Sequence, residues 1–143
     1  MLKRIILLFS SLFFACSIFA ANNSVLGYWQ TQDDDSKQPA SVISIEKANG
    51  SLVGKVVKLY TNPNAVCSKC SGDLHNKPVL GLPVLWDFTP NANGASNGKI
   101  LAIKRGSVFD ADLSLQQNGE QLLVQIKTPF GVKTQIWQRV AGA

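Results

Sequence analysis

The Asn-Gly pairs at Asn49-Gly50 and Asn118-Gly119 interrupt this chain between stretches that alternate apolar and polar residues. Both residues of such a pair tolerate positive φ, as the tight turn between antiparallel strands requires. The flanking residues agree with that reading. Phe109, Ala111, Leu113 and Leu115 share one parity, with Asp110, Asp112 and Ser114 on the other. Leu122, Val124 and Ile126 repeat the pattern beyond the second turn. Period two describes a strand with one buried face and one wet face.

Extended along the chain, the same reasoning gives eight strands, at 25–32, 40–48, 51–60, 80–86, 98–104, 107–115, 121–128 and 132–140. A polar turn at 33–36, long loops at 61–78 and 87–97, and a turn at 129–131 separate them. The fourth strand is the weakest, because Pro83 cannot donate to a central ladder. No helical stripe is evident beyond the N-terminus, although either long loop has room for a short helix. Consecutive strands with short turns predict an all-β fold: one small antiparallel up-and-down β-barrel of about eight strands, whose closure removes exposed edges. A β-sandwich is the alternative.

The N-terminus has a different composition. Lys3 and Arg4 precede an apolar run at 5–14, broken only by Ser10 and Ser11, and small residues lead to Ala20-Ala21. This is the layout of a cleavable signal peptide, with an apolar core too short to span a bilayer comfortably. Residues 1–20 are therefore expected to be a signal helix, and 21–143 the mature domain, exported to the periplasm or secreted. A lipoprotein signal acylated at Cys16 is the rival reading. It fits less well, because Phe13-Phe14-Ala15 lacks the usual aliphatic residue three places before the cysteine and apolar residues follow it.

Removing residues 1–20 leaves 123, enough for one domain with a core of its own. No second long apolar segment follows, so no transmembrane helix is expected after processing. Losing Lys3 and Arg4 lowers the formal charge from +5 to +3, carried by scattered residues. That pattern argues against a nucleic-acid partner, which calls for clustered cations or interleaved stacking aromatics.

Cys67 and Cys70 form the sharpest local motif. In an oxidising compartment the simplest reading is a disulfide pinning the long loop. A redox role would need a depressed thiol pKa, but the residues after Cys70 are poor helix material. Cys67, Cys70, Asp73 and His75 could also supply metal ligands, yet a zinc site built on one cysteine pair usually draws two strong ligands from a distant segment. His75 is the sole histidine. The expectation is no metal, no cofactor and no catalytic residue. Asp110 and Asp112 share a strand face, which suits solvated carboxylates better than an acid–base pair.

Two features resemble the lipocalin-like, or calycin, barrels. Gly27-Tyr28-Trp29 falls at the start of the first strand, like that group's G-x-W signature, and Trp137-Gln138-Arg139 lies in the last strand. The resemblance implies that Arg139 covers Trp29 where the barrel closes, a cation–π contact, with Trp137 on the same face as Arg139. Gly27, Trp29, Trp137 and Arg139 are thus expected to be closure residues.

The mature chain is also similar to an exported bacterial family, domain of unknown function 2147. The shared features run in order: Gly27-x-Trp29, residues 52–57, Cys67-x-x-Cys70-x-Gly72, residues 78–82, Gly98-Lys99-Ile100 and Trp137-x-Arg139. Where that family often continues toward Asp-Pro, this chain reads Leu101-Ala102-Ile103-Lys104. The resemblance implies an exported lipocalin-like barrel and no established catalytic activity.

A small closed barrel can leave an apolar cavity at its open end. Phe109, Ala111, Leu113, Leu122 and Val124 are candidate lining residues, with Trp86 and Phe88 as a lid beside a mobile loop. The expected function is non-catalytic binding of a small apolar or amphipathic ligand in the cell envelope. The alternative is an envelope interaction or assembly factor with a solid barrel, acting through its long loops.

Overall fold

The computed structural model describes residues 23–143. The expected signal helix and Cys16 lie outside the described residues. Eight antiparallel strands follow in chain order: β1 (Gly27–Gln32), β2 (Pro39–Ala48), β3 (Ser51–Leu59), β4 (Pro83–Asn91), β5 (Gly94–Ala102), β6 (Ser107–Gln116), β7 (Gln121–Thr128) and β8 (Gly131–Val140). Each pairs with the next, and β8 returns to β1, closing the barrel. The only helical pieces among the described residues are two short 3₁₀ turns, at Gly72–Leu74 and Gln117–Gly119.

The turn chemistry works as the dipeptides imply. Asn49 (φ 50°) and Gly50 (φ 82°) take positive φ between β2 and β3, and Asn118 and Gly119 do so between β6 and β7. Inward side chains alternate along the strands. Leu113 stands opposite Val124, Leu115 opposite Leu122, and Leu122 opposite Trp137. With Trp29, Ile43, Ile45, Leu52, Val56, Leu85 and Phe88 they form one continuous core.

The middle of the barrel differs from the sequence reading. Residues 87–97 are not a loop: β4 runs on to Asn91 and β5 begins at Gly94. Asp87 (φ 61°) and Asn97 (φ 57°) are residues within the strands, and the β5–β6 register shifts between Ala95 and Gly98. Turn-forming residues here serve irregular strands, which bend to follow a barrel wall. The step at Asp87 also turns Phe88 inward. Its fully buried ring lies flat on Gly98, where an added Cβ would stand 2.2 Å from the ring.

The connections sort to two ends. The entry to β1, the β2–β3, β4–β5 and β6–β7 turns, and the end of β8 lie together at the closed end. The β1–β2, β3–β4, β5–β6 and β7–β8 connections ring the other end, the mouth.

Candidate functional site

At the closed end, Trp29 is completely buried and donates its indole N–H to the Val25 carbonyl at 2.8 Å. Arg139 is its direct partner across the β1–β8 seam. The guanidinium carbon sits 4.2 Å from the Trp29 ring centroid. Its Nε donates to the Gly119 carbonyl at 2.7 Å and its Nη1 to the Leu26 carbonyl at 2.9 Å, and Nη2 donates to Ser24. Burial lowers the Arg139 pKa, with Glu120 opposing that shift. Gly27 opens β1 at φ 122°, and a Cβ there would meet Arg139 Nη1 at 3.0 Å. These groups are engaged in holding strands together.

Cys67 and Cys70 are joined through their sulfurs, with Cα atoms 5.4 Å apart. Both are buried. The loop around them folds over the mouth: Val66 bridges to Pro78, the Cys67 N–H donates to the Lys77 carbonyl, and Cys67 Sγ lies 3.8 Å from the Ile103 carbonyl oxygen. His75 Nδ1 donates to the Cys70 carbonyl at 2.9 Å, so its ring is engaged in shaping the loop. Among the described residues, no three of His, Cys, Asp and Glu converge as a metal site would need.

Asp110 and Asp112 lie on the outer face of β6. Asp110 pairs with Lys99, while Asp112 accepts the Asn97 N–H at 2.9 Å and pairs with Lys127 at 3.0 Å. Lysine contacts lower the Asp110 pKa, and the Asn97 N–H leads the lowering at Asp112. This is the opposite of the upward shift a general acid needs.

The candidate lining residues fall into two groups. Ala111, Leu113, Leu122 and Val124 meet on the inner face of β6 and β7 and are buried, with Phe109 half-buried beside them. They pack against neighbouring strands. Trp86 and Phe88, expected as a lid, do not form one. Both belong to β4, Phe88 is locked in the core on Gly98, and Trp86 stands opposite Lys99 on the other parity.

Two shallow concavities of the described residues lie at the rim, outside the packed interior. One, of about 260 Å³, is an open groove in the β3–β4 loop, lined by Leu74, Lys77, Pro78 and residues 80–83. The other is a cleft of about 220 Å³ beside the seam, lined by Gln32, Asp33, Asp34, Lys37 and Thr134–Trp137. Its origin is topological. β1 and β8 pair only through Tyr28–Gln30 with Gln138–Val140, so nearer the mouth the two strands part.

The cleft carries an organised polar relay. Trp137 Nε1 donates to Gln135 Oε1 at 3.0 Å, and Gln135 Nε2 donates to Asp34 Oδ1 at 3.2 Å. Lys133 pairs with the other Asp34 oxygen. Asp33 accepts the N–H groups of Asp35 and Ser36 at 3.0 Å each and pairs with Lys104, on the turn after β5. In the ring of strands that turn lies opposite the β1–β2 loop, so Asp33–Lys104 straps the loop across the mouth. These contacts drive the Asp33 pKa far below the usual carboxylate range.

Sequence reasoning treated 33–36 as a turn and missed this cleft. One signal was present: Lys133 and Gln135 share the inward parity of Trp137 and Arg139, placing polar groups on a barrel's inner wall.

A family match and a structural match place the chain among known proteins. Residues 27–139 match the family described as "Uncharacterized protein conserved in bacteria (DUF2147)". Among solved structures, protein HP1028 from Helicobacter pylori, described as belonging to the lipocalin family, superposes with a TM-score of 0.71 at 18% identity. The match covers 80% of this chain and 82% of that one, and at this identity it speaks for the fold. No curated protein matches the sequence.

Proposed function

We propose, from the premise that this chain belongs to the DUF2147 family and folds as a lipocalin-like barrel, that it is a non-catalytic binding protein of the cell envelope that takes a small amphipathic molecule at the barrel mouth. The observation that carries the reading is the cleft beside the parted β1–β8 seam. Ile136 and Trp137 give it an apolar side, while Asp34, Gln135, Thr134 and Lys37 offer charge and hydrogen bonds. A few convergent polar groups beside an apolar wall are what a small-ligand site needs. The filled interior argues against a large, purely apolar guest within the barrel.

Titration with anilinonaphthalene sulfonate, a naphthalene bearing a phenylamino group and one anionic sulfonate, tests the site. Saturable one-to-one binding that Thr134→Trp abolishes by filling the cleft supports the reading. Binding that survives Thr134→Trp unchanged overturns it.

The same filled interior favours a second reading, an interaction or assembly factor working through its loops. Its expected signature is a co-purifying protein and no saturable small-molecule site.

A further inference from the structure

The β7–β8 turn has no part in the cleft, the strap or the closed end, yet it is built with care. Thr128 Oγ1 donates to the Gly131 carbonyl at 2.7 Å and accepts the Phe130 N–H at 3.2 Å. These bonds fix the backbone so that Phe130 stands at the apex, 94% exposed. No other large apolar residue described in the barrel is so exposed; Val132, next at 61%, adjoins it on β8. Asp110 and Val132 both pair with Lys127, so Val108, two residues before Asp110, flanks the same turn and is itself exposed. Three exposed apolar residues therefore gather around this turn at the mouth, with Phe130 at its apex.

Charge accompanies it. The connections at the mouth, with the three-residue strand ends bordering them, carry Lys37, Lys58, Lys69, Lys77, Lys104, Arg105, Lys127 and Lys133 against Asp33, Asp34, Asp35 and Asp73. Eight cations against four carboxylates place an excess of four positive charges at this end. At the closed end Lys47 and Arg139 are balanced by Glu46 and Glu120. Lys104, Lys127 and Lys133 are held in ion pairs, whereas no ion pair is formed by Arg105 or Lys69 among the described residues.

We propose that the mouth end docks on an anionic lipid surface, with Phe130 entering the interface and Val132 and Val108 following it. An exposed aromatic ringed by cations suits such an interface, where the ring leaves water and the cations meet anionic headgroups. A protein partner would more naturally be met by a broad, flat apolar patch than by one projecting ring. Docking in this orientation faces the cleft and strap toward the bilayer, although the inference does not depend on the cleft holding a ligand.

Vesicle co-sedimentation of the mature protein tests this. The probes are vesicles of phosphatidylglycerol and phosphatidylcholine in equal parts, and vesicles of phosphatidylcholine alone. The wild type is expected to bind the anionic vesicles, less so as salt screens the charges. Phe130→Ser is expected to weaken binding about tenfold or more, since it removes the apolar anchor from the interface. Phe130→Trp should retain binding and shift its emission to the blue on the anionic vesicles. Absence of wild-type binding, or binding indifferent to Phe130→Ser, overturns the proposal. Phe130-dependent capture of an envelope protein without vesicle binding also overturns it. Anilinonaphthalene sulfonate titration of Phe130→Ser should be unchanged, which separates failure here from failure of the cleft reading.

Discussion

Arg139 lies across the face of Trp29 with its guanidinium 4.2 Å from the ring centroid, and the same side chain binds the entry to β1 and the β6–β7 turn. A single residue of the last strand thus gathers three segments at the closed end. Replacing it with Ala should cost about 2–3 kcal/mol, the combined worth of a partly desolvated cation–π contact and charged hydrogen bonds. Chemical denaturation measures this. Arg139 does not line the cleft, so probe binding should persist; its loss at unchanged stability would contradict a purely structural role.

Gly98 and Phe88 should behave as one unit. A methyl at residue 98 would stand 2.2 Å from the Phe88 ring. Gly98→Ala is expected to destabilise by roughly 1–3 kcal/mol through overpacking. Phe88→Leu in the same chain should recover part of that loss. A double-mutant cycle showing additive effects would mean that the two residues do not meet.

Opening the Cys67–Cys70 bridge should loosen the β3–β4 loop without unfolding the barrel. The bridge closes a ring of only four residues, so chain entropy assigns it a modest ~2 kcal/mol. Replacing both cysteines with Ser should speed proteolysis within residues 60–82 while strand amides stay protected from exchange. Simultaneous loss of protection in β1–β8 would show that the loop is integral to the barrel's stability.

The strap should respond to acid. The Asp33 carboxyl lies far below its ordinary value of 3.8 because of Lys104 and the Ser36 and Asp35 N–H groups, and Lys104 is raised in turn. Asp34 and Asp35 are the other charges acting on Lys104. A carboxylate whose folded pKa is depressed stabilises the fold above its unfolded pKa and loses that contribution as pH falls through the folded value. The strap's contribution to stability is therefore expected to be complete at pH 5 and to shrink progressively below about pH 4, while the ion pair itself persists in the folded protein to lower pH. Asp33→Asn should flatten this part of the stability profile. Carboxyl-resolved NMR showing Asp33 titrating at its ordinary value would contradict the strap.

Where strands are half wet, the sequence displays them plainly. Phe109 to Leu115 and Leu122 to Ile126 alternate because one face meets the core and the other meets solvent. Trp29 and Arg139 were legible as partners through the resemblance to calycin barrels, whose closure makes the first and last strands neighbours. β4 and β5 were obscured by Asp87 and Asn97, whose tolerance of positive φ serves a bend within a strand as readily as a turn between strands. The same ambiguity put Phe88 in a lid instead of the core. The cleft was hidden for another reason: it depends on where β1 stops pairing with β8, a long-range register that local composition does not encode.

On the proposed function, a small amphipathic molecule binds beside the parted seam and not within the barrel. Amide chemical-shift mapping during titration with anilinonaphthalene sulfonate tests it most directly. The largest saturable shifts should fall on Gln32, Asp33, Asp34, Lys37 and Thr134 to Trp137. Shifts concentrated instead on Ala111, Leu113, Leu122 and Val124 would place the guest in the interior and contradict the claim.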